Sequence, residues 1–139
     1  MNVDAIKNGI VLDHIQAGRG MQIYHLLHLD TLSCPVAIIK NVQSKQLGKK
    51  DIIKIDADIP LDLDILGYID PNITINVIRD SVLVEKKHLE LPLRLVGVLK
   101  CRNPRCITSS EQELPQVFKL SDRQSRTYRC MYCEAKAEE

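Results

Sequence analysis

The residues of this chain best suited to chemistry are its sulfur donors. Cys101-Arg102-Asn103-Pro104-Arg105-Cys106 and Cys130-Met131-Tyr132-Cys133 form two close pairs, at x4 and x2 spacings, with 23 residues between them. Pairs on tight turns bring four thiolates around one tetrahedral ion, and Asn103-Pro104 is turn chemistry for the first pair. A segment of about 40 residues buries too little apolar surface to fold on its own core, so bound zinc would staple it. Four sulfurs leave the ion no open position for water or substrate, which predicts a structural role. Lys100, Arg102, Arg105 and Arg129 adjoin ligands and read first as counter-charge for the thiolates. Cys34, ahead of Pro35, has no partner at ligand spacing and reads as a buried or edge thiol.

No nucleophile or acid/base set accompanies the cysteines. Gly-x-Ser-x-Gly, Walker, His-Glu-x-x-His and Gly-x-Gly-x-x-Gly patterns are all absent, which argues for binding or regulation. His25 and His28 have ligand spacing but no third donor, and read as surface or satisfied side chains. Asp13 and His14 stand in the otherwise apolar Gly9-Ile10-Val11-Leu12-Asp13-His14-Ile15, where a carboxylate and an imidazole need partners. In Gly48-Lys49-Lys50-Asp51-Ile52-Ile53-Lys54-Ile55, alternation puts Lys50, Ile52 and Lys54 on one face, and Asp51, Ile53 and Ile55 on the other. With Lys86 and Lys87 added, these residues allow a site where lysines bind phosphates and a carboxylate holds ribose hydroxyls.

These residues must be positioned by a small protein. At 139 residues the chain has room for one ordinary domain or two small ones. Its 45% hydrophobic and 27% charged composition is that of a globular fold. A net charge of +1 gives no overall basic field, so a polyanion site would be local. No apolar run reaches membrane-span length, and Met1-Asn2-Val3-Asp4 opens no secretion signal, so a cytoplasmic, reducing setting is expected.

Short runs of Ile, Val and Leu predict strands near residues 10–15, 36–42, 52–57, 73–79, 81–86 and 95–99. Helical spacing predicts helices over residues 20–29 and 60–69. The order strand, helix, strand, strand, helix, strand, strand is the ferredoxin-like pattern of an antiparallel sheet with two helices on one face. Leu91-Pro92-Leu93 interrupts it. The expected architecture is therefore α+β, with a ferredoxin-like domain over residues 1–95 and a small all-β zinc-ribbon or rubredoxin-like domain over 96–139. After residue 97 the chain turns mildly basic, with 8 basic and 6 acidic residues against 11 and 12 before it.

Taken in order, Val3-Asp4-Ala5-Ile6-Lys7-Asn8-Gly9-Ile10-Val11-Leu12-Asp13-His14-Ile15, Gly48-Lys49-Lys50-Asp51-Ile52-Ile53-Lys54-Ile55 and the cysteine pairs closing in Tyr132-Cys133-Glu134 resemble the regulatory chain of aspartate carbamoyltransferase. The resemblance covers nearly the whole chain. It implies a non-catalytic subunit of the enzyme that makes carbamoyl aspartate in pyrimidine synthesis. The first domain would pair into homodimers and bind CTP or ATP. The zinc domain would dock on catalytic chains, with three regulatory dimers bridging two catalytic trimers. Carried over by motif, Asp13 would take ribose hydroxyls, Lys54 and Lys86 ribose and phosphate groups, and His14 a phosphate. Ile6, Ile52, Asn76, Ile78 and Leu83 would line the site, and Cys101, Cys106, Cys130 and Cys133 match the zinc ligands. Neither nucleic acid nor membrane is an expected partner. The alternative, a zinc-ribbon nucleic-acid-binding protein, rests on Arg102, Arg105, Arg123, Arg126 and Arg129 around the cysteines.

Overall fold

The computed structural model describes residues 6–137, and the chain divides into two units, Met1–Glu90 and Leu91–Glu139. The division falls five residues before the expected boundary, because residues 94–96 pair with the second sheet.

The first unit runs β1 (Gly9–Gln16), α1 (Gly20–Leu26), a 3-10 turn (Leu29–Thr31), β2 (Val36–Ser44), β3 (Gly48–Ile55), α2 (Leu63–Ile69), β4 (Thr74–Arg79) and β5 (Val82–His88). Its five strands lie in the order β2-β3-β1-β4-β5, every neighbour antiparallel. The first four strands and two helices give the ferredoxin-like arrangement, and β5 adds an edge. Ile10, Leu12 and Ile15 of β1, Ile53 and Ile55 of β3 and Ile75 of β4 pack with Ile23 of α1 and Leu66 and Ile69 of α2. Both helices therefore cover one face, and the alternate residues of the strands form the other, open face.

Three irregularities shape that open face. Between Leu12 and Ile15, β1 carries one residue more than β3, which turns the side chains of Asp13 and His14 away from the core together. His14 takes a left-handed backbone, φ 60°. A second extra residue lies in β2 between Ile39 and Val42, and a third in β5 at Val84.

The helices are shorter than expected. His28 has φ 54°, so the periodic pattern through Leu29 breaks after Leu26 and resumes as a 3-10 turn. Asp62 caps α2, accepting from the N–H groups of Asp64 and Ile65 at 3.1 and 3.2 Å, and so starts that helix after Pro60. The start of α1 has no cap from its own Arg19. Fully buried Asp51 on β3 supplies one instead: Oδ2 accepts from Gly18 N–H at 3.1 Å and Gly20 N–H at 3.0 Å. Its Oδ1 accepts from Asn41 N–H at the β2 bulge, at 3.1 Å. Gly20 is required here, since a Cβ would stand 2.9 Å from that Oδ2.

The second unit is a three-stranded antiparallel sheet, β6 (Arg94–Val96), β7 (Val117–Asp122) and β8 (Thr127–Cys130), with one helical turn, α3 (Ile107–Ser110). Leu95, Val117, Phe118 and Tyr128 are its buried apolar residues beside the cysteines. Tyr128 ties the first strand in, donating its hydroxyl to the Pro92 carbonyl at 2.7 Å. So small a core fits the expectation of a metal staple.

Candidate functional site

The four paired cysteines converge in the second unit. Cys101 and Cys106 bound the loop leading into α3, Cys130 ends β8, and Cys133 lies in the turn after it. Asn103 closes the first loop, accepting from Cys106 N–H through its carbonyl at 3.0 Å and from Arg105 N–H through Oδ1 at 3.1 Å. The second knuckle is closed by Glu134 N–H donating to the Cys130 carbonyl and by Cys130 N–H donating to that of Ala135, both at 2.9 Å.

All four Sγ atoms lie within 4.8 Å of one another. Cys101–Cys133 and Cys106–Cys130 are separated by 3.6 and 3.7 Å. Zinc–sulfur bonds of about 2.3 Å directed to a tetrahedron set sulfurs about 3.8 Å apart, and a disulfide would need about 2.05 Å. The donor set fits one tetrahedral thiophilic ion. Burial pushes the Cys101 thiol up to about 12. The Ala135 backbone N–H and then the Asn103 side chain hold Cys133 down to about 6. Thr108, buried beside the cluster, donates its hydroxyl to Cys106 Sγ at 3.1 Å and holds that thiol below its ordinary value.

The second candidate site is the open face of the first unit. Directly paired residues share a face, so the ladders place Ala37, Lys54, Val11, Asn76 and Lys86 in one row across all five strands. Ile39 and Ile52 stand in the adjoining row on β2 and β3. Asp13 lies opposite Thr74, which lies opposite His88, and on the other side Gly9, Ile78 and Leu83 are in register. Ile6 is buried just ahead of β1; a Cβ on Gly9 would meet its Cγ2 at 2.9 Å, which sets Ile6 at the end of this face.

Asp13 carries the polar chemistry of the face. Its Oδ1 is 2.9 Å from Lys50 Nζ and accepts from His14 N–H at 2.7 Å. Burial opposes its charge, but Lys50 and the His14 N–H outweigh that and hold the carboxyl below its ordinary value of 3.8. His14 Nδ1 is 3.0 Å from Thr74 Oγ1, so the bulge delivers the imidazole to the same face. Thus Asp13, Ile52, Lys54, Asn76, Ile78, Leu83 and Lys86 share one face by register, with His14 brought to it and Ile6 at its end.

Three features escaped the motif reading. Lys50 is the ion-pair partner of Asp13, a pairing across a bulge that strand alternation alone does not reveal. Asp51 serves the fold and not the face, because its donors come from residues 18, 20 and 41, distant in sequence. Thr108 touches a thiol two residues away, which the hydroxyl's position after the second cysteine would have suggested.

No helix among the described residues is long and apolar enough to cross a membrane. Residues 1–90 match the family described as aspartate carbamoyltransferase regulatory chain, allosteric domain, and residues 93–139 match its metal binding domain. The aspartate carbamoyltransferase regulatory chain of Clostridium botulinum is 50% identical over 134 residues, 96% of this chain and 92% of that protein. Those of Clostridium tetani and Bifidobacterium longum are 49% and 42% identical, covering 96% and 99% of this chain and 94% and 99% of theirs. With both units matched in order, the nucleic-acid-binding alternative is not favoured. The chain belongs to the aspartate carbamoyltransferase regulatory chain family, the non-catalytic subunits of that enzyme.

Proposed function

We propose that the open face of the first unit binds a nucleoside triphosphate, CTP or ATP, and that the second unit, held by zinc, docks on aspartate carbamoyltransferase catalytic chains and passes them the effect. The observation that carries this reading is the row in which Lys54 and Lys86 flank Val11 and Asn76, with Asp13 on the same face. Three strand spacings separate the two lysine backbones, about 14 Å, a span suited to an extended nucleotide. Lys54 and Lys86 take ribose and phosphate groups as ammonium donors, and Asp13 accepts from ribose hydroxyls through Oδ2, its other oxygen being engaged. His14 offers Nε2 to a phosphate. Asn76 can donate and accept, and Ile6, Ile52, Ile78 and Leu83 give the base and sugar apolar walls, with backbone groups near Ile6 and Ile78 reading the base.

Bound zinc would hold Cys101, Cys106, Cys130 and Cys133 as one cross-link, closing a unit with few buried apolar residues. Homodimers form through the first unit, and three of them bridge two catalytic trimers. The β2 edge, with Ile38, Ile39 and Val42 half-buried on an outer strand, supports that pairing. The setting is the cytoplasm, where thiols stay reduced.

The experiment is calorimetric titration of the zinc-loaded chain with CTP and with ATP, repeated on Lys54→Ala. Loss of one charge-assisted contact is worth about 1.5–3 kcal/mol, so affinity is expected to fall at least tenfold. Unchanged affinity in the variant refutes the placement of the phosphates.

A further inference from the structure

One feature of the second unit lies outside both sites. Arg94 pairs with Lys119, Lys119 with Arg129, and Arg129 with Lys136 across an isolated bridge, so four cations stand side by side in one cross-strand row. The row runs about 14 Å at the usual strand spacing. All four residues are exposed. Among the described residues none of them makes an ion pair, and the Arg129 side chain donates to the Glu134 carbonyl, at 3.1 Å.

Counter-charge for the thiolates does not account for this row. Leu95, Phe118 and Cys130 form the neighbouring cross-strand row, and alternation sends the side chains of Arg94, Lys119 and Arg129 to the opposite face of the sheet. Like charges directly opposite one another destabilise a sheet. The row therefore costs the sheet some stability, which an oppositely charged partner would offset.

We propose that this face of the second unit is an electrostatic docking surface for an acidic protein surface, the carboxylate-bearing flank of the catalytic chain. The inference rests on the docking role proposed above and deepens it by naming the surface. Charge complementarity sets the partner's sign: four adjacent cations call for a patch of carboxylates. Val96, 58% exposed, stands on the same face two residues from Arg94. An apolar contact beside a charged row is the anatomy of a protein interface. A single-stranded nucleic acid would instead want aromatic side chains to stack its bases, and the row holds none.

The test uses the full zinc-loaded chain and catalytic trimers of the same organism, with association followed by sedimentation across a NaCl series. The wild type should associate and weaken steeply as salt rises. The double variant K119E/R129E, with zinc content and circular dichroism unchanged, should bind at least tenfold more weakly at low salt and lose most of the salt dependence. The charge-preserving K119R/R129K should bind like the wild type. Binding by K119E/R129E within twofold of wild type, at the same salt slope, overturns the proposal while leaving the docking role standing. Failure of the wild type to bind trimers overturns the docking role and this surface with it. If instead a labelled single-stranded RNA binds the wild type, is lost in K119E/R129E, and trimer association is untouched, the surface serves nucleic acid and the proposal is wrong.

Discussion

Two carboxylates, Asp13 and Asp51, sit on adjacent strands yet do opposite work.

 They lie on β1 and β3, one facing the open side of the sheet and the other the helices. Asp51 is fully buried and accepts three backbone N–H bonds, so it belongs to the fold. Asp13 is part-exposed and shares one oxygen, Oδ1, between Lys50 and the His14 N–H. Its carboxyl is held below 3.8, so its contribution to stability is complete at neutral pH and is lost as the pH falls from that value through the lower folded one. The stability difference between wild type and Asp13→Asn should therefore be full near neutral pH, shrink as the pH falls below 3.8, and close only below the lower folded value, where the folded and unfolded carboxyls are both protonated. Urea unfolding across that range checks it, and a difference independent of pH would show that the ion pair contributes nothing.

At the scale of elements, the sequence was most legible where apolar residues kept a regular period. Ile10 and Leu12 mark β1, Ile53 and Ile55 the buried face of β3, and the first four strands and two helices follow in the expected order. The expected start of β3 at residue 52 was four residues late because Lys49-Lys50-Asp51 looks too polar for a strand core. Asp51 is buried there only because residues remote in sequence donate to it. The end of α1 was misjudged because Leu27 and Leu29 keep the helical period while His28 takes a left-handed backbone. In the second unit, β7 and β8 are short runs without a sustained apolar period, and only Cys130 at the end of β8 marks them in the sequence. For the same reason Cys130→Ser, which removes one ligand from the end of β8, should cost the second unit its sheet and its zinc while the first unit still binds nucleotide. Zinc analysis and calorimetry on that variant check this, and loss of nucleotide binding along with zinc would contradict the independence of the two units.

On the scale of the whole molecule, regulation requires more than two intact sites. A nucleotide shifts an equilibrium between low- and high-activity states only by binding one of them more tightly, and ligands at the catalytic sites must then change nucleotide affinity by the same factor. In the proposed function the chain's part is to keep an effector face and a docking unit in one polypeptide; residues 1–90 and 93–139 match the allosteric and metal binding domains of one family. The most direct measurement is CTP and ATP titration of the assembled enzyme, with its catalytic sites empty and then filled by an inert substrate analogue. Filling them is expected to change the affinity for at least one nucleotide by about 5-fold or more, the scale of a typical coupling free energy. Equal affinities in the two states for both nucleotides would contradict it, since a nucleotide bound equally in both cannot regulate.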